Sequence, residues 1–189
     1  MVSGGVRIVS GSLGGRVLRA PPGTTTRPTS EKVREAIFAI LGPPAEADAV
    51  LDLFAGSGAM GIEALSRGAG RAVFVEKARP AAAVLRKNLD ELGVAARSEV
   101  VVGDALTFIT KPPAQPWRWV FVDPPYKTEL ASRVVAHFGA HPEQLAEGGS
   151  LVVEHDRRIK PPDADGSMLR TDSRRYGDTW VSFYGREPP

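Results

Sequence analysis

LDLFAGSGAMG, residues 51–61, joins a short apolar run to a glycine-rich turn and the start of a helix. Small residues in such a turn let a ligand approach the backbone closely at the carboxyl end of the strand. The spacing Gly56-x-Gly58-x-x-Gly61 also fits the dinucleotide fingerprint, although many chains carry that spacing by chance. The stretch therefore predicts a strand, a turn and a helix, in which the turn either holds a nucleotide-like ligand or only reverses the chain.

Short apolar runs alternate with helical patterns along the chain from residue 49 onward. The runs are 49–54, 72–76, 99–102, 119–123 and 150–154, and the helical patterns are 62–66, 78–92 and 129–138. Such alternation predicts an α/β domain in which helices cover both faces of a parallel sheet. Two last runs, 167–174 and 179–185, have no helix between them and predict a terminal antiparallel hairpin at one edge of the sheet.

The first 28 residues carry a different pattern. Weakly alternating runs at 6–10 and 16–19 flank a glycine turn and predict a small β-hairpin. A helix should follow, with its N-cap at residue 29 or 30. Its apolar positions are Val33, Ile37, Ile40 and Leu41. We therefore divide the chain into an N-terminal hairpin and loop, 1–28, and a main domain, 29–189.

The composition excludes several kinds of site. The formal net charge of +2 is too small to identify a nucleic-acid partner by itself, and the chain contains no cysteine. The absence of cysteine excludes disulfides, thiolate metal sites and a cysteine nucleophile. The three histidines show no metal-ligand spacing and no catalytic-triad context, so we expect no metal. No apolar run approaches the roughly 20 residues of a membrane span and no signal-peptide core is present, so we expect a cytoplasmic protein.

Three carboxylates follow the ends of three predicted strands. Asp52 ends a strand that should be buried, and a buried charge needs a partner or a ligand. The ammonium and sulfonium groups of S-adenosylmethionine would supply one, whereas a dinucleotide pyrophosphate would be repelled. Glu76 can accept hydrogen bonds from both ribose hydroxyls of an adenosine, in NAD as well as in S-adenosylmethionine. Asp104 can accept from an adenine amino group or cap a helix, and the two roles are compatible.

VFVDPPY, residues 120–126, places an acid, two prolines and an aromatic residue directly after the fourth strand of the predicted sheet. An exocyclic amine on a base is a poor nucleophile because its lone pair is delocalised into the ring. The Asp123 carboxylate and the Pro124 carbonyl can accept its two hydrogens and localise the lone pair, and paired prolines hold that carbonyl rigidly. Tyr126 offers a face on which a flipped base can stack. The alternative is a proline-rich turn that Asp123 caps.

The order of these motifs resembles that of the Rossmann-like class I methyltransferases, and Asp-Pro-Pro-Tyr is similar to the catalytic tetrapeptide of their amino-group branch. The N-terminal segment is similar to the RsmD family of bacterial 16S rRNA guanine-N2 methyltransferases. The similar stretches are RIVSG at 7–11, GRVL at 15–18, TRPTSEKVREAIF at 26–38 and YGDT at 176–179. The resemblance implies a seven-stranded, mostly parallel sheet of order 3-2-1-4-5-7-6, with helices on both faces.

The resemblance also implies methyl transfer from S-adenosylmethionine to the exocyclic N2 of guanine 966 in 16S rRNA, with S-adenosylhomocysteine as the product. The implied catalytic residues are Asp123, Pro124, Pro125 and Tyr126. The implied cofactor-binding residues are Asp52, Phe54, Ala55, Gly56, Ser57, Gly58, Glu76, Asp104, Ala105, Arg27, Pro28 and Thr29. We expect a monomer that uses neither a metal nor a covalent enzyme intermediate.

The first 34 residues hold six basic side chains against one acid, Glu31. The basic residues are Arg7, Arg16, Arg19, Arg27, Lys32 and Arg34. Beside a catalytic loop, such a basic edge predicts contacts with RNA phosphates, which are salt-sensitive and independent of sequence. The alternative is a solvated basic surface. We expect 16S rRNA, within an assembled or assembling small ribosomal subunit, as the partner.

Three other functions stay open on the sequence. An adenine-N6 DNA methyltransferase also uses Asp-Pro-Pro-Tyr, but it normally needs a separate target-recognition region, for which 189 residues leave little space. An NAD-dependent oxidoreductase would use the glycine spacing and would leave Asp-Pro-Pro-Tyr without a role. An RNA-binding ribosome-assembly factor with an inactive site would bind rRNA and form no methylated product.

Overall fold

A computed structural model describes residues 5–21, 31–125, 129–156 and 160–187 of the chain. Within these ranges the strands are β1 (Val6–Arg7), β2 (Val17–Leu18), β3 (Ala49–Asp52), β4 (Arg71–Glu76), β5 (Ser98–Val102), β6 (Trp117–Val122), β7 (Leu145–Asp156), β8 (Ala164–Asp165), β9 (Met168–Tyr176) and β10 (Thr179–Arg186). The α-helices are α1 (Glu31–Leu41), α2 (Ala59–Ser66), α3 (Arg79–Glu91), α4 (Ala105–Ile109) and α5 (Leu130–Ala140). Strands and helices alternate from β3 to β7, as the sequence predicts.

The described part of the chain forms a central sheet of eight strands in the order β5-β4-β3-β6-β7-β10-β9-β8. The strands from β5 to β7 in that order are parallel, and β10, β9 and β8 are antiparallel to their neighbours. Numbered from β3 and without β8, the strands follow the expected order 3-2-1-4-5-7-6. The expected count of seven was one too few, because Ala164 and Asp165 pair with the start of β9 at the edge.

Alternate residues of the central strands face two separate cores, which confirms that helices cover both faces of the sheet. Phe74 and Phe121 pack on one face with apolar residues of α1, α2 and α3. Val73 and Val120 pack on the other face with apolar residues of α4 and α5. Because β3, β4, β5 and β6 are parallel, their carboxyl ends meet at one edge of the sheet, and so do the residues that follow them.

The predicted N-terminal hairpin is formed by β1 and β2, in which Val6 lies opposite Leu18. Both residues are buried in the core that also contains α1 and α2. The N–H groups of Val9 and Ser10 donate to the Glu63 carboxylate of α2, at 2.7 and 3.0 Å. Glu63 is 0% exposed, so these bonds satisfy a charge inside the protein. The hairpin is therefore built into the domain by polar as well as apolar contacts.

Some local expectations differ from the structure or lie outside it. Ile40, which we expected on the apolar face of α1, is 42% exposed. The buried face of the helix includes Ile37 and Phe38 but not Ile40. Strand β7 begins five residues earlier than its apolar run, since Gly148 and Gly149 interrupt the apolar pattern there. The expected N-cap at residue 29 or 30, and the boundary between residues 28 and 29, lie outside the described residues.

Candidate active site

A cleft of ≈ 520 Å³ opens at the edge of the sheet where β3, β4, β5 and β6 end. A volume of this size falls within the range of roughly 300–1,000 Å³ that is typical of small-molecule sites. Its wall combines the glycine turn, the acids at the strand ends and the segment after β6. The residues of the predicted sets that line it are Asp52, Phe54, Ala55, Gly56, Ser57, Glu76, Asp104, Ala105, Asp123, Pro124 and Pro125.

The glycine turn has the conformation that its sequence predicts. Gly56 and Gly58 have φ angles of 51° and 84°, in the left-handed region that favours glycine. A Cβ atom on Gly58 would overlap the Leu85 side chain, and one on Gly61 would overlap the Phe74 ring. Gly58 is not among the residues that line the cleft. Gly58 and Gly61 therefore allow α2 to pack closely, while Gly56 brings the main chain into the cleft wall.

Asp52 is a buried acid at the end of β3, as the sequence predicts, and is 5% exposed. Its Oδ2 accepts a hydrogen bond from the N–H of Gly61 at 3.1 Å. Burial raises the pKa of Asp52 to about 7, the hydrogen bond from Gly61 opposes the rise, and the nearby charge of Glu76 adds to it. An acid with a pKa near neutrality can become ionised when a cation binds beside it, which suits Asp52 to a positively charged ligand.

Glu76, at the end of β4, is held by two main-chain N–H groups. Its Oε2 accepts from Gly56 at 2.9 Å, and its Oε1 accepts from Ala78 at 2.7 Å. Each carboxylate oxygen has two lone pairs, so both oxygens can accept a further hydrogen bond. The carboxylate is thereby fixed beside the glycine turn as an acceptor in the cleft wall, and its contact with a ribose stays a prediction.

Asp104 caps helix α4, which is the alternative that the sequence left open beside a role in adenine binding. Its Oδ1 accepts from the N–H groups of Leu106 and Thr107 at 3.1 and 3.2 Å. The hydrogen bond from Thr107 is the main reason that the pKa of Asp104 lies below its usual value, and Lys77 lowers it further. Asp104 is exposed and lines the cleft, so it stays ionised where an adenine amino group could donate to it.

Asp123 directly follows β6 and lines the cleft together with Pro124 and Pro125. The residue is open to solvent through the cleft, while the protein around its carboxyl group displaces part of the hydrating water. This desolvation raises the pKa of Asp123 well above its usual range, and the negative charges of Glu154 and Asp52 raise it further. Pro124 is buried, which fixes the backbone that follows Asp123.

Glu154 is an acid of β7 that the sequence reasoning missed. Strands β6 and β7 pair in parallel with Val122 opposite Val153, so Asp123 and Glu154 are the next pair in register. Glu154 is buried. The signal that identified Asp52, an acid at the end of an apolar run, is present here as well. Asp52 at the end of β3, Asp123 directly after β6 and Glu154 within β7 therefore bring three carboxylates to this part of the sheet.

The predicted RNA-binding residues divide into two groups. The exposed members in the described part of the chain are Arg7, Arg16, Arg19 and Lys32. Arg19 pairs with the Glu91 carboxylate at 2.6 Å, an exposed ion pair of a kind that is weak enough to exchange for a phosphate. Arg34 is 1% exposed, and its Nη2 donates to the main-chain oxygen of Arg7. A side chain without exposed surface does not reach a phosphate, so we remove Arg34 from the RNA-binding set.

Other predicted residues lie outside the described residues, and some lining residues were missed. The predicted residues that lie outside the described residues are Arg27, Pro28, Thr29 and Tyr126. Among the missed residues, Val6, Ala20 and Pro21 bring the N-terminal hairpin into the cleft wall. The sequence marks the end of the hairpin by its prolines, but no local pattern shows that the hairpin folds back onto the glycine turn.

The described residues contain no group of three or more Asp, Glu and His side chains that could hold a metal ion. His155, one of the three histidines without metal-ligand spacing, is buried, and its Nε2 lies 2.9 Å from the Ser182 hydroxyl. Within the same described ranges, every helix is too short or too polar to cross a membrane.

Residues 6–185 match the family model described as Conserved hypothetical protein 95. The chain is 38% identical to the Bacillus subtilis protein named "Putative rRNA methyltransferase YlbH" over 181 residues, which cover 95% of this chain and 98% of that protein. It is 41% identical to the Escherichia coli protein named "Ribosomal RNA small subunit methyltransferase D" over 133 residues, or 70% of this chain and 66% of that protein.

The fold is similar to a solved structure described as "Putative methyltransferase yhhF from Escherichia coli". The two structures have a TM-score of 0.82 and 34% sequence identity, and the match covers 98% of this chain and 100% of the other. The sequence and structure comparisons therefore point to the same group of proteins that the motifs resemble.

Proposed function

The chain belongs to the RsmD family, and we propose that it transfers a methyl group to the exocyclic N2 of guanine 966 in 16S rRNA of the small ribosomal subunit. One observation carries the proposal: Asp123 and Pro124 line the same cleft as the glycine turn. The names of the relatives support an rRNA substrate. The choice of guanine N2 and of its position follows from the resemblance of the motifs to the RsmD family.

S-adenosylmethionine is the cofactor, and it supplies an electrophilic methyl group on a sulfonium. The described residues fit it. Asp52 is a buried acid whose ionised form needs a nearby cation, and the amino-acid part of the cofactor carries an ammonium. Glu76 is a fixed acceptor for the ribose hydroxyls, and Asp104 is an exposed, ionised acceptor for the adenine amino group. The ionised form of Asp52 would repel the pyrophosphate of NAD, and an NAD-dependent reaction gives the residues after β6 no role.

Asp123 and Pro124 act on the target amine. The Asp123 carboxylate accepts one N–H of the amine and the Pro124 carbonyl accepts the other, which concentrates the lone pair on nitrogen. Asp123 must be ionised for this role. The methylated nitrogen is acidic and releases a proton, and Asp123 is suited to accept that proton because its pKa is raised by desolvation, Glu154 and Asp52. We assign Tyr126 to stacking on the flipped base.

The N-terminal hairpin supplies the RNA-contacting surface in this proposal, with 1–28 as the RNA-contacting extension and 29–189 as the catalytic domain. Val6, Ala20 and Pro21 lie in the cleft wall, so the exposed arginines of the same hairpin are close to the edge of the cleft. Contacts from such side chains to phosphates hold the RNA without reading its sequence. We expect rRNA affinity to fall steeply as salt rises.

The test supplies labelled S-adenosylmethionine to the protein with naked 16S rRNA and with small subunits that lack the modification, and then maps the labelled base. We expect label on N2 of a single guanine. Asp123→Ala should lower kcat by about 10²–10³, because the amine loses one of its two acceptors. Affinity for S-adenosylmethionine should stay within about threefold, because Asp52 and not Asp123 is the acid assigned to the ammonium, and a charge without a direct ion pair contributes little. Asp90→Ala, an exposed acid on α3, is the control.

Three other outcomes would each contradict a different part of the proposed function. Label on adenine N6, or transfer to duplex DNA in preference to rRNA, would replace the proposal by adenine methylation. Absence of label with both rRNA substrates, combined with rRNA binding that Asp123→Ala does not change, would favour an assembly factor with an inactive site. Loss of cofactor binding in Asp123→Ala would place Asp123 in the cofactor site and not at the target amine.

A further inference from the structure

Asn88, on α3, is a buried polar residue that the proposed chemistry does not use. It is 2% exposed, and its amide makes three hydrogen bonds to main-chain groups. Its Oδ1 accepts from the N–H of Arg19 at 2.9 Å. Its Nδ2 donates to the carbonyl of Arg19 at 3.1 Å and to the carbonyl of Ser57 at 3.1 Å. Both amide hydrogens and the amide oxygen are thereby used.

The two partners of Asn88 lie in or directly beside two segments that line the cofactor cleft. Arg19 is followed directly by Ala20 and Pro21, which line the cleft on the side of the hairpin. Ser57 is part of the glycine turn and lines the cleft itself. A single side chain therefore fixes the main chain of the hairpin and the main chain of the turn to each other. A shift of either segment breaks at least one of three part-buried hydrogen bonds.

The hairpin has a second, independent attachment. The N–H groups of Val9 and Ser10 bind Glu63, and the N–H of Leu13 donates to the Ser66 hydroxyl at 2.9 Å. These contacts lie on the later part of α2 and do not involve the glycine turn. Removal of the Asn88 amide should therefore leave the hairpin folded and attached, while it disconnects the hairpin from the turn.

We propose that Asn88 is a positioning residue that couples occupancy of the cofactor cleft to the placement of the N-terminal hairpin, and hence to RNA binding. A cofactor that contacts the turn and the Ala20–Pro21 wall favours the arrangement in which the three hydrogen bonds are intact. RNA bound to the hairpin favours the same arrangement, so each ligand raises the affinity for the other by an equal factor. The RNA part rests on the proposed function, whereas the link between cofactor and hairpin does not.

The test measures amide hydrogen exchange in the hairpin of the full chain, with and without S-adenosylhomocysteine. The reporters are the N–H groups of Ile8 and Gly15, which donate to carbonyls within the hairpin and not to Asn88. In the wild type, saturating S-adenosylhomocysteine should slow their exchange on the order of fivefold, the lower end of typical coupling between sites. In Asn88→Leu, which keeps most of the volume and removes the three hydrogen bonds, the ligand should leave their exchange unchanged.

A second measurement uses calorimetry. Asn88→Leu should weaken S-adenosylmethionine binding on the order of tenfold, because the Ser57 carbonyl loses the hydrogen bond that holds the glycine turn in place beside the cleft. In a KM-against-kcat comparison, the KM for S-adenosylmethionine should rise much more than kcat falls. Lys87→Leu, at the exposed preceding position of α3, should change neither quantity. Asn88→Ala repeats the test in case Leu does not fit.

Two results would overturn the proposal. One is hairpin exchange in the wild type that S-adenosylhomocysteine does not slow, and the other is equal slowing in both Asn88 variants. A final arm measures S-adenosylmethionine affinity with saturating 16S rRNA, which should tighten binding in the wild type and not in Asn88→Leu. If the rRNA binds neither protein, the proposed substrate fails, while the exchange experiment still decides the role of Asn88.

Discussion

Asp52→Asn tests whether a buried, ionisable acid governs the response of the cleft to pH. The pKa of Asp52 is raised by burial from 3.8 to about 7 in the folded protein. A raised acid pKa means that the folded state gains stability when the group is protonated. That stability is complete below about pH 4 and is lost as pH rises to about 7. The pKa difference corresponds to about 4 kcal/mol of unfolding free energy.

The variant removes this dependence. Asparagine is neutral, and its side-chain oxygen can keep the hydrogen bond from the Gly61 N–H. Urea unfolding of the ligand-free protein should therefore show that Asp52→Asn is more stable than the wild type at pH 8, by up to about 4 kcal/mol. The advantage should shrink as pH falls toward 5. Asp90→Asn, an exposed substitution on α3, is the control and should follow the wild type at each pH.

Asp52→Asn should stabilise the ligand-free protein at pH 8 but weaken its affinity for the cofactor. A cation beside Asp52 favours its ionised form, so wild-type affinity for S-adenosylmethionine should weaken by up to about tenfold for each pH unit below 7. Asp52→Asn should bind more weakly than the wild type at pH 8 and show a flatter pH dependence. The reasoning is refuted if the unfolding free energies of the wild type and the variant differ by the same amount at every pH from 5 to 8. Asp52 would then titrate alike in the folded and unfolded chains.

Three further predictions concern other contacts of the domain. Glu154→Gln removes a negative charge that raises the pKa of Asp123, so the acid limb of the kcat–pH profile should move to lower pH. Gly61→Ala places a methyl group against the Phe74 ring and should lower the unfolding free energy by about 1–3 kcal/mol in urea titrations. Glu63→Ala leaves the N–H groups that bind its carboxylate unpaired and should cost about 3 kcal/mol by the same assay.

Each of these predictions has a result that contradicts it. An acid limb that stays in place in Glu154→Gln would mean that Asp123 does not set it. For Gly61→Ala, Gly103→Ala is the matched control, since a Cβ there meets only Val101 at 4.0 Å. Equal stability of Gly61→Ala and Gly103→Ala would show that close packing against Phe74 does not require Gly61. Wild-type stability in Glu63→Ala would show that the hairpin needs no buried anchor.

Local signals in the sequence were sufficient for the part of the cleft wall that follows the strands of the sheet. The glycine spacing, the acids at strand ends and the segment after β6 each follow from residues that are close in the chain. Asp104 shows the limit of such signals, because it both caps α4 and lines the cleft, and the sequence does not separate the two roles. Helix α4 has only five residues, which is too short for an apolar period to be visible.

The features that could not be predicted depend on contacts between distant segments. Arg34 belongs to a basic stretch in the sequence, but the hairpin passes over α1 and buries its guanidinium against Arg7. Asn88 is 69 residues from Arg19 and 31 from Ser57, and nothing local distinguishes it from any other polar residue of an amphipathic helix. Only the folded arrangement shows which polar residues lie inside the protein.

Three acids of the adjacent strands β3, β6 and β7 make this side of the cleft negative. Asp52, Asp123 and Glu154 follow one another across adjacent strands, and the pKa of Asp123 is raised both by desolvation and by the other two charges. Three acids held this close destabilise the ligand-free protein at neutral pH. A contribution to the stability of the fold therefore does not explain their presence. A cation bound beside Asp52 reduces the repulsion on Asp123 and lowers its pKa, which increases the fraction of Asp123 that is ionised. The acid that binds the cofactor would then also prepare the acceptor for the target amine.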